Sequence, residues 1–142
     1  FAQYARDVVA NAAALGVALE AEGFRLVTGG TDTHLLLVDL RDFDAELTGK
    51  EAQEVLDLAG ITLNRNQIPD DPRSPFVTSG LRLGSAAETT AGMGPVELAT
   101  VATLIARSLR GRGDEAEQAA VRAEVTALCA SFPPYPGLVR KG

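Results

Sequence analysis

The chain has 142 residues, 46% of them apolar, and a formal net charge of -6. That is one domain's worth of sequence with enough apolar side chains to bury a core, and an acidic balance without any basic run argues against a nucleic-acid surface built on clustered lysine and arginine. The single cysteine, Cys129, rules out an internal disulfide and suits a reducing compartment, and no apolar run approaches the roughly 20 residues of a membrane span. The expected partners are small molecules or other subunits, and the expected location is cytoplasmic.

Apolar residues at Phe1, Tyr4, Val8, Ala12, Leu15 and Leu19 follow the helical period, with Gly23 placed to end the helix. Neither an initiator methionine nor a capping residue precedes Phe1, so the chain is expected to be a fragment of a longer protein, cut inside a helix. Phe24 to Val27 alternates like a half-buried strand, Gly29-Gly30 marks a turn, and His34 to Asp39 reads as a more central strand beside the first. Thr48-Gly-Lys-Glu51 is a capping-box pattern, with the threonine hydroxyl on an amide of the first turn and Glu51 reaching back, and Ala52, Val55, Leu56 and Ala59 continue one face to Gly60. Ile61 to Leu63 reads as a third strand and Ser79 to Leu83 as a fourth.

Between them lies a stiffened loop. Pro69, Pro72 and Pro75 remove backbone donors at intervals of three, so the segment from Arg65 to Phe76 suits neither a helix interior nor a central strand. Beyond it, Gly94-Pro95 opens a helix with Leu98, Val101, Ala102, Ile105 and Leu109 on one face, and Arg107, Arg110 and Arg112 gather at its negative end. Asp114 caps a last helix with Val121, Val125, Leu128 and Phe132 inward, and Pro133-Pro134 stops it; the tail 133–142 is expected to be loosely held. Strands mixed with helices but lacking a regular βαβ beat predict an α+β fold, a small mostly antiparallel sheet packed with helices.

The chemistry concentrates at the end of the proline loop. In Leu81-Arg82-Leu83-Gly84 an arginine alternates with two leucines, which places a guanidinium at the rim of a sheet beneath a rigid polar loop. Two readings fit: a receptor for a carboxylate, whose two oxygens match the planar fork of donors, or an edge-strand arginine paired with a nearby Asp or Glu. Asn66 by itself reads as an Asx-turn residue that stabilises its own loop. Ser74-Pro75-Phe76 by itself reads as loop rigidity and a core phenylalanine. His34 is expected to bond locally or face a domain interface, Cys129 to be plain core, and Gly29-Gly30 to be only a turn.

Asn64-Arg-Asn-Gln-Ile-Pro followed by Asp71-Pro-Arg-Ser-Pro-Phe-Val-Thr-Ser-Gly-Leu-Arg-Leu-Gly84 resembles the carboxy-terminal domain of serine hydroxymethyltransferase. Gly29-Gly-Thr-Asp-Thr-His-Leu-Leu-Leu-Val-Asp-Leu40 and Leu47-Thr-Gly-Lys-Glu-Ala52 fit the same family in the same order, so the resemblance runs from about Phe1 to Tyr135. It implies that 1–142 is the small carboxy-terminal domain of a fold-type I pyridoxal-phosphate enzyme, whose large domain carries the cofactor while the small one closes over the substrate. The implied reaction interconverts serine plus tetrahydrofolate with glycine plus 5,10-methylenetetrahydrofolate. By the same resemblance Arg82 binds the substrate α-carboxylate, Asn66 bonds the folate pterin, and Ser74 and Phe76 line that site. A homo-oligomeric parent is also implied.

The family's Schiff-base lysine, which follows a Thr-Thr-His run, has no counterpart here. Lys50 falls in an exposed first helical turn and Lys141 in the tail, so the fragment alone is expected to be inactive. The chain departs from the family after Gly84: Gly84-Ser-Ala-Ala87 stands for Gly-Thr-Pro-Ala, and Thr90-Ala-Gly-Met93 lacks an arginine at Ala91, so contacts of that arginine are not carried over. An alternative function is a free-standing binding or regulatory module derived from this domain. The small domain of another pyridoxal-phosphate enzyme shares the carboxylate arginine but leaves the Asn66 loop unexplained.

Overall fold

A computed structural model describes residues 2–27 and 34–133. Phe1, the Gly29-Gly30 turn and the tail beyond residue 133, Lys141 included, lie outside the described residues. Helix α1, Ala2–Ala21, buries Val8, Ala12, Leu15 and Leu19 along one stripe. It stops where expected: Gly23 takes φ +101°, and the Phe24 amide returns to the Leu19 carbonyl at 3.1 Å.

Strand β1, Arg25–Leu26, pairs antiparallel with β2, Leu35–Asp39. With β3, Asn64–Asn66, and β4, Gly80–Gly84, they form an antiparallel sheet in the order β1-β2-β4-β3. Alternation assigns the faces. Leu36, Val38, Leu81 and Leu83 point into the core and are buried, each contributing about 1.5–3 kcal/mol. Leu37 and Arg82, opposite one another in register, take the other face. Helix α2, Gly49–Leu58, adds Leu56 to the core, and α4, Pro95–Arg110, adds Leu98, Ile105 and Leu109. The last helix, α5, Glu115–Ser131, packs on α4 through Val121 and Val125 against Leu104 and Ala59. The α+β architecture is therefore as the sequence predicts.

Local details differ. The third strand is Asn64–Asn66 rather than Ile61 to Leu63, because the Ile61 amide is already used: Gly60 at φ +89° turns the chain so that it bonds the Leu56 carbonyl at 2.8 Å. Sheet pairing begins only where Asn64 comes opposite Arg82. The Thr48 hydroxyl accepts the Glu51 amide at 3.0 Å, but Glu51 does not reach back; its carboxylate lies 3.4 Å from Arg112 Nε. The amides of Gly49 and Lys50 donate to the carbonyls of Thr78 and Val77, so the end of the proline loop finishes the cap of α2. A short helix α3, Ala86–Thr90, follows β4 where the sequence suggests no element. Glu97 caps α4 by accepting the Gly94 amide at 2.7 Å.

The arginines at the end of α4 do more than face its dipole. Arg107 bonds Glu117 at 2.7 Å and also Glu124, which clips α5 in place. Arg110 pairs with Glu22 at 2.8 Å and lies 5.0 Å above the Phe43 ring, itself stacked on Phe24. Cys129 is exposed rather than core, because α5 rests on α4 along a narrow stripe of valines and turns the cysteine past it. Phe76 is 77% exposed, which removes the core-phenylalanine reading.

Candidate functional site at Arg82

Arg82 projects from β4 on the face of the sheet opposite the core, with Leu81 and Leu83 anchoring the strand on either side. Residues i-2 and i+2 on that face are Gly80 and Gly84, so no side chain of its own strand crowds the guanidinium. Gly80 is sterically required, and Gly84 leaves little room for a side chain. A Cβ on Gly80 would lie 2.7 Å from the Asn66 carbonyl and 2.8 Å from that of Val38, and one on Gly84 would lie 3.2 Å from the His34 carbonyl. β4 is an inner strand, not an edge, and the Arg82 guanidinium bonds no carboxylate among the described residues. The edge-strand ion-pair reading finds no support among the described residues. An exposed, uncommitted guanidinium in this setting suits an incoming carboxylate.

A cleft of about 330 Å³ opens beside it, lined by Asn64, Thr62, Arg82, Gly84 and Glu88 and floored by Leu83 and Leu98. Asn66, Ser74 and Phe76 do not line this cleft. Asn66 shares the Arg82 face, however. It sits opposite Gly80 while Asn64 sits opposite Arg82, which makes Asn66 and Arg82 diagonal neighbours about 7–8 Å apart. The Asn66 amide nitrogen donates to the Gln67 carbonyl at 2.9 Å, a local bond that leaves its oxygen available as an acceptor. Ser74 and Phe76 are exposed on the loop joining β3 to β4, where the Ser74 carbonyl accepts the Thr78 amide at 2.9 Å.

Two residues not singled out by sequence hold this loop. The Asp71 carboxylate accepts the Arg73 amide at 2.9 Å, the Ser79 amide at 2.8 Å, the Ser79 hydroxyl at 2.8 Å and the Ile68 amide at 3.2 Å. Burial pushes this carboxyl up, but the four donors outweigh burial and leave it below the ordinary carboxylate value. Arg73 donates to the carbonyls of Ala45 at 2.9 Å and Leu47 at 3.2 Å and to the Ser79 hydroxyl at 3.2 Å, which ties the loop to the segment ahead of α2. The only sequence signal is Asp71-Pro72 itself, an Asx-turn pattern whose two-residue reach predicts the Arg73 amide bond but not the longer ones.

Among the described residues none fits the lysine that pyridoxal phosphate needs. Lys50 is exposed and paired with Glu54 at 2.8 Å, so it lacks the buried setting that a Schiff-base lysine needs. His34 is exposed at the start of β2, and its carbonyl accepts the Ser85 amide. Among the described residues no three His, Cys, Asp or Glu side chains gather to hold a metal, and no helix is long and apolar enough to cross a membrane.

Comparison with known proteins covers most of the chain. Two curated relatives, the serine hydroxymethyltransferases of Rippkaea orientalis and Microcystis aeruginosa, are each 51% identical over 138 residues, 97% of this chain. The chain spans only 32% of the length of either relative. The family model described as serine hydroxymethyltransferase matches residues 1–105, nearly three quarters of the chain, and includes β4 with Arg82 and β3 with Asn66. On that match the chain belongs to the serine hydroxymethyltransferase family.

Proposed function

We propose that the chain is the small carboxy-terminal domain of a serine hydroxymethyltransferase, and that it supplies substrate recognition to a reaction whose cofactor is held elsewhere in the parent protein. The observation that carries this reading is the exposed guanidinium of Arg82, uncommitted to any described carboxylate and set between two glycines on the open face of the sheet. The α-carboxylate of serine or glycine takes the fork of Arg82. This fixes the amino acid by two parallel hydrogen bonds and leaves its reacting end free to face the large domain. Asn66 receives the pterin of tetrahydrofolate through its side-chain oxygen, and Ser74 and Phe76 border the same ligand from the loop. The Phe76 ring, exposed here, gives an apolar surface for that purpose.

Pyridoxal phosphate belongs to the parent and not to this chain, since no described lysine has a buried setting. The chain by itself is therefore inactive, and its partners are serine or glycine, tetrahydrofolate, the large domain and further copies of the parent. The single cysteine and the proposed metabolic role suit the cytoplasm. The test is Arg82→Ala in the full-length parent. Loss of a desolvated bidentate partner costs about 2–5 kcal/mol, so the serine KM should rise by about thirtyfold or more. A serine KM equal to wild type would remove Arg82 from the site and the proposal with it.

A further inference from the structure

We propose that Asp71 is a positioning residue that keeps the carboxylate-binding Arg82 and the amide of Asn66 in one register, acting through Ser79 and the start of β4. The inference rests on the roles given above to Arg82 and Asn66, and extends them to a residue that touches neither ligand. The geometry is that of a two-ended clamp. On one side Asp71 takes the Ile68 amide, two residues beyond Asn66. On the other it takes both the amide and the hydroxyl of Ser79, the residue ahead of Gly80, which pairs with Asn66 in the sheet and stands two positions before Arg82. One carboxylate therefore closes the loop at both feet.

The clamp is held in turn. Arg73 binds the Ser79 hydroxyl from its other side and fastens the loop to the carbonyls of Ala45 and Leu47. The Ser79 carbonyl accepts the Leu40 amide at 3.0 Å, which joins the clamp to the end of β2. Thr78, immediately before it, is fully buried at φ +60°, a region that β-branched residues rarely adopt. A backbone in that conformation persists only where its surroundings hold it, and here the Gly49 amide on the Thr78 carbonyl and the Asp71 bonds to Ser79 do so from two sides. Ionised Asp71 is an acceptor at both oxygens, matching four donors. An asparagine of the same shape would present N–H groups to backbone amides on at least one side.

The experiment compares Asp71→Asn, Ser79→Ala and Arg82→Ala in the full-length parent, measuring the KM for serine, the KM for tetrahydrofolate, kcat and the thermal midpoint, with kinetics taken below the onset of unfolding. Misplacement of recognition groups by an ångström costs up to about a hundredfold, so Asp71→Asn should raise both KM values together by about ten- to hundredfold. Ser79→Ala should raise both in the same direction by less. Arg82→Ala should raise the serine KM alone. A merely structural role for Asp71 would lower the midpoint and the active fraction while the surviving enzyme kept both KM values. Serine and folate KM values within about twofold of wild type in Asp71→Asn and Ser79→Ala overturn the proposal, and Ser79→Ala decides by the same criterion if Asp71→Asn does not fold. A normal serine KM in Arg82→Ala overturns the underlying reading instead, whatever Asp71 does.

Discussion

Gly80 is the position where the sheet around Arg82 has least room, and Gly80→Ala measures how closely it is built. The added Cβ would lie 2.7 Å from the Asn66 carbonyl, 2.8 Å from the Val38 carbonyl and 2.7 Å from Ile68 Cγ2. Two of those three atoms are backbone, one on each neighbouring strand, so relief requires β3 or β2 to move away from β4. Overpacking generally costs about 1–3 kcal/mol, and immovable neighbours on both sides put this case at the upper end. The comparison is Gly113→Ala, where φ is +89° but nothing lies within 4 Å of the new Cβ. There the left-handed backbone penalty, partly offset by a less flexible unfolded chain, leaves a cost of about 1 kcal/mol. Urea unfolding of both variants, with the slope held common, gives the two differences directly. We expect Gly80→Ala to be the more destabilising by about 2 kcal/mol, with a fall in midpoint of roughly 10 °C against the unsubstituted chain. A Gly80 variant no less stable than the Gly113 variant would show that the strands give way freely, and would refute the claim that close backbone approach fixes the Arg82 face.

Two further outcomes are expected. Asp39, through its bonds to Arg41, and Asp71, through the donors that outweigh its burial, both hold their protons less tightly in the folded chain than the ordinary value of 3.8. A lowered folded value means stability that is full above pH 3.8 and is lost as pH falls through the folded values. Thermal midpoints should be flat at neutral pH and drop on acidification, and the drop should be shallower in Asp71→Asn; an identical acid slope in that variant would count against Asp71. Asp114→Ala removes the side chain that accepts the amides of Ala116 and Glu117 at 3.1 and 3.2 Å, and should cost about 1 kcal/mol of stability in denaturant unfolding. No measurable change would mean that α5 is held by Arg107 and its valines alone.

The order of elements and the class of fold were legible because each long helix carries its own period and its own stop signal. Val8, Ala12, Leu15 and Leu19 in α1, and Leu98, Ala102, Ile105 and Leu109 in α4, all proved buried, and Gly23 and Gly60 adopt the left-handed backbone that ends a helix. The alternation of Leu81, Arg82 and Leu83 likewise determined by itself that the arginine faces away from the core, since a strand has a period of two whatever its neighbours. The sequence could not say which strands flank it. That β4 lies inside the sheet, with Asn66 diagonal to Arg82 across β3, depends on pairings between distant segments, and no local period encodes these. The start of β3 at Asn64 was decided by the Ile61 amide being consumed at the end of α2. The exposure of Cys129 and Phe76 was decided by packing, since an apolar residue is buried only where another element comes to cover it. Asp71 shows the same division most plainly: its two-residue reach to Arg73 belongs to local chain geometry, while its bonds to Ser79, eight residues on, exist only because the folded loop brings its two feet together.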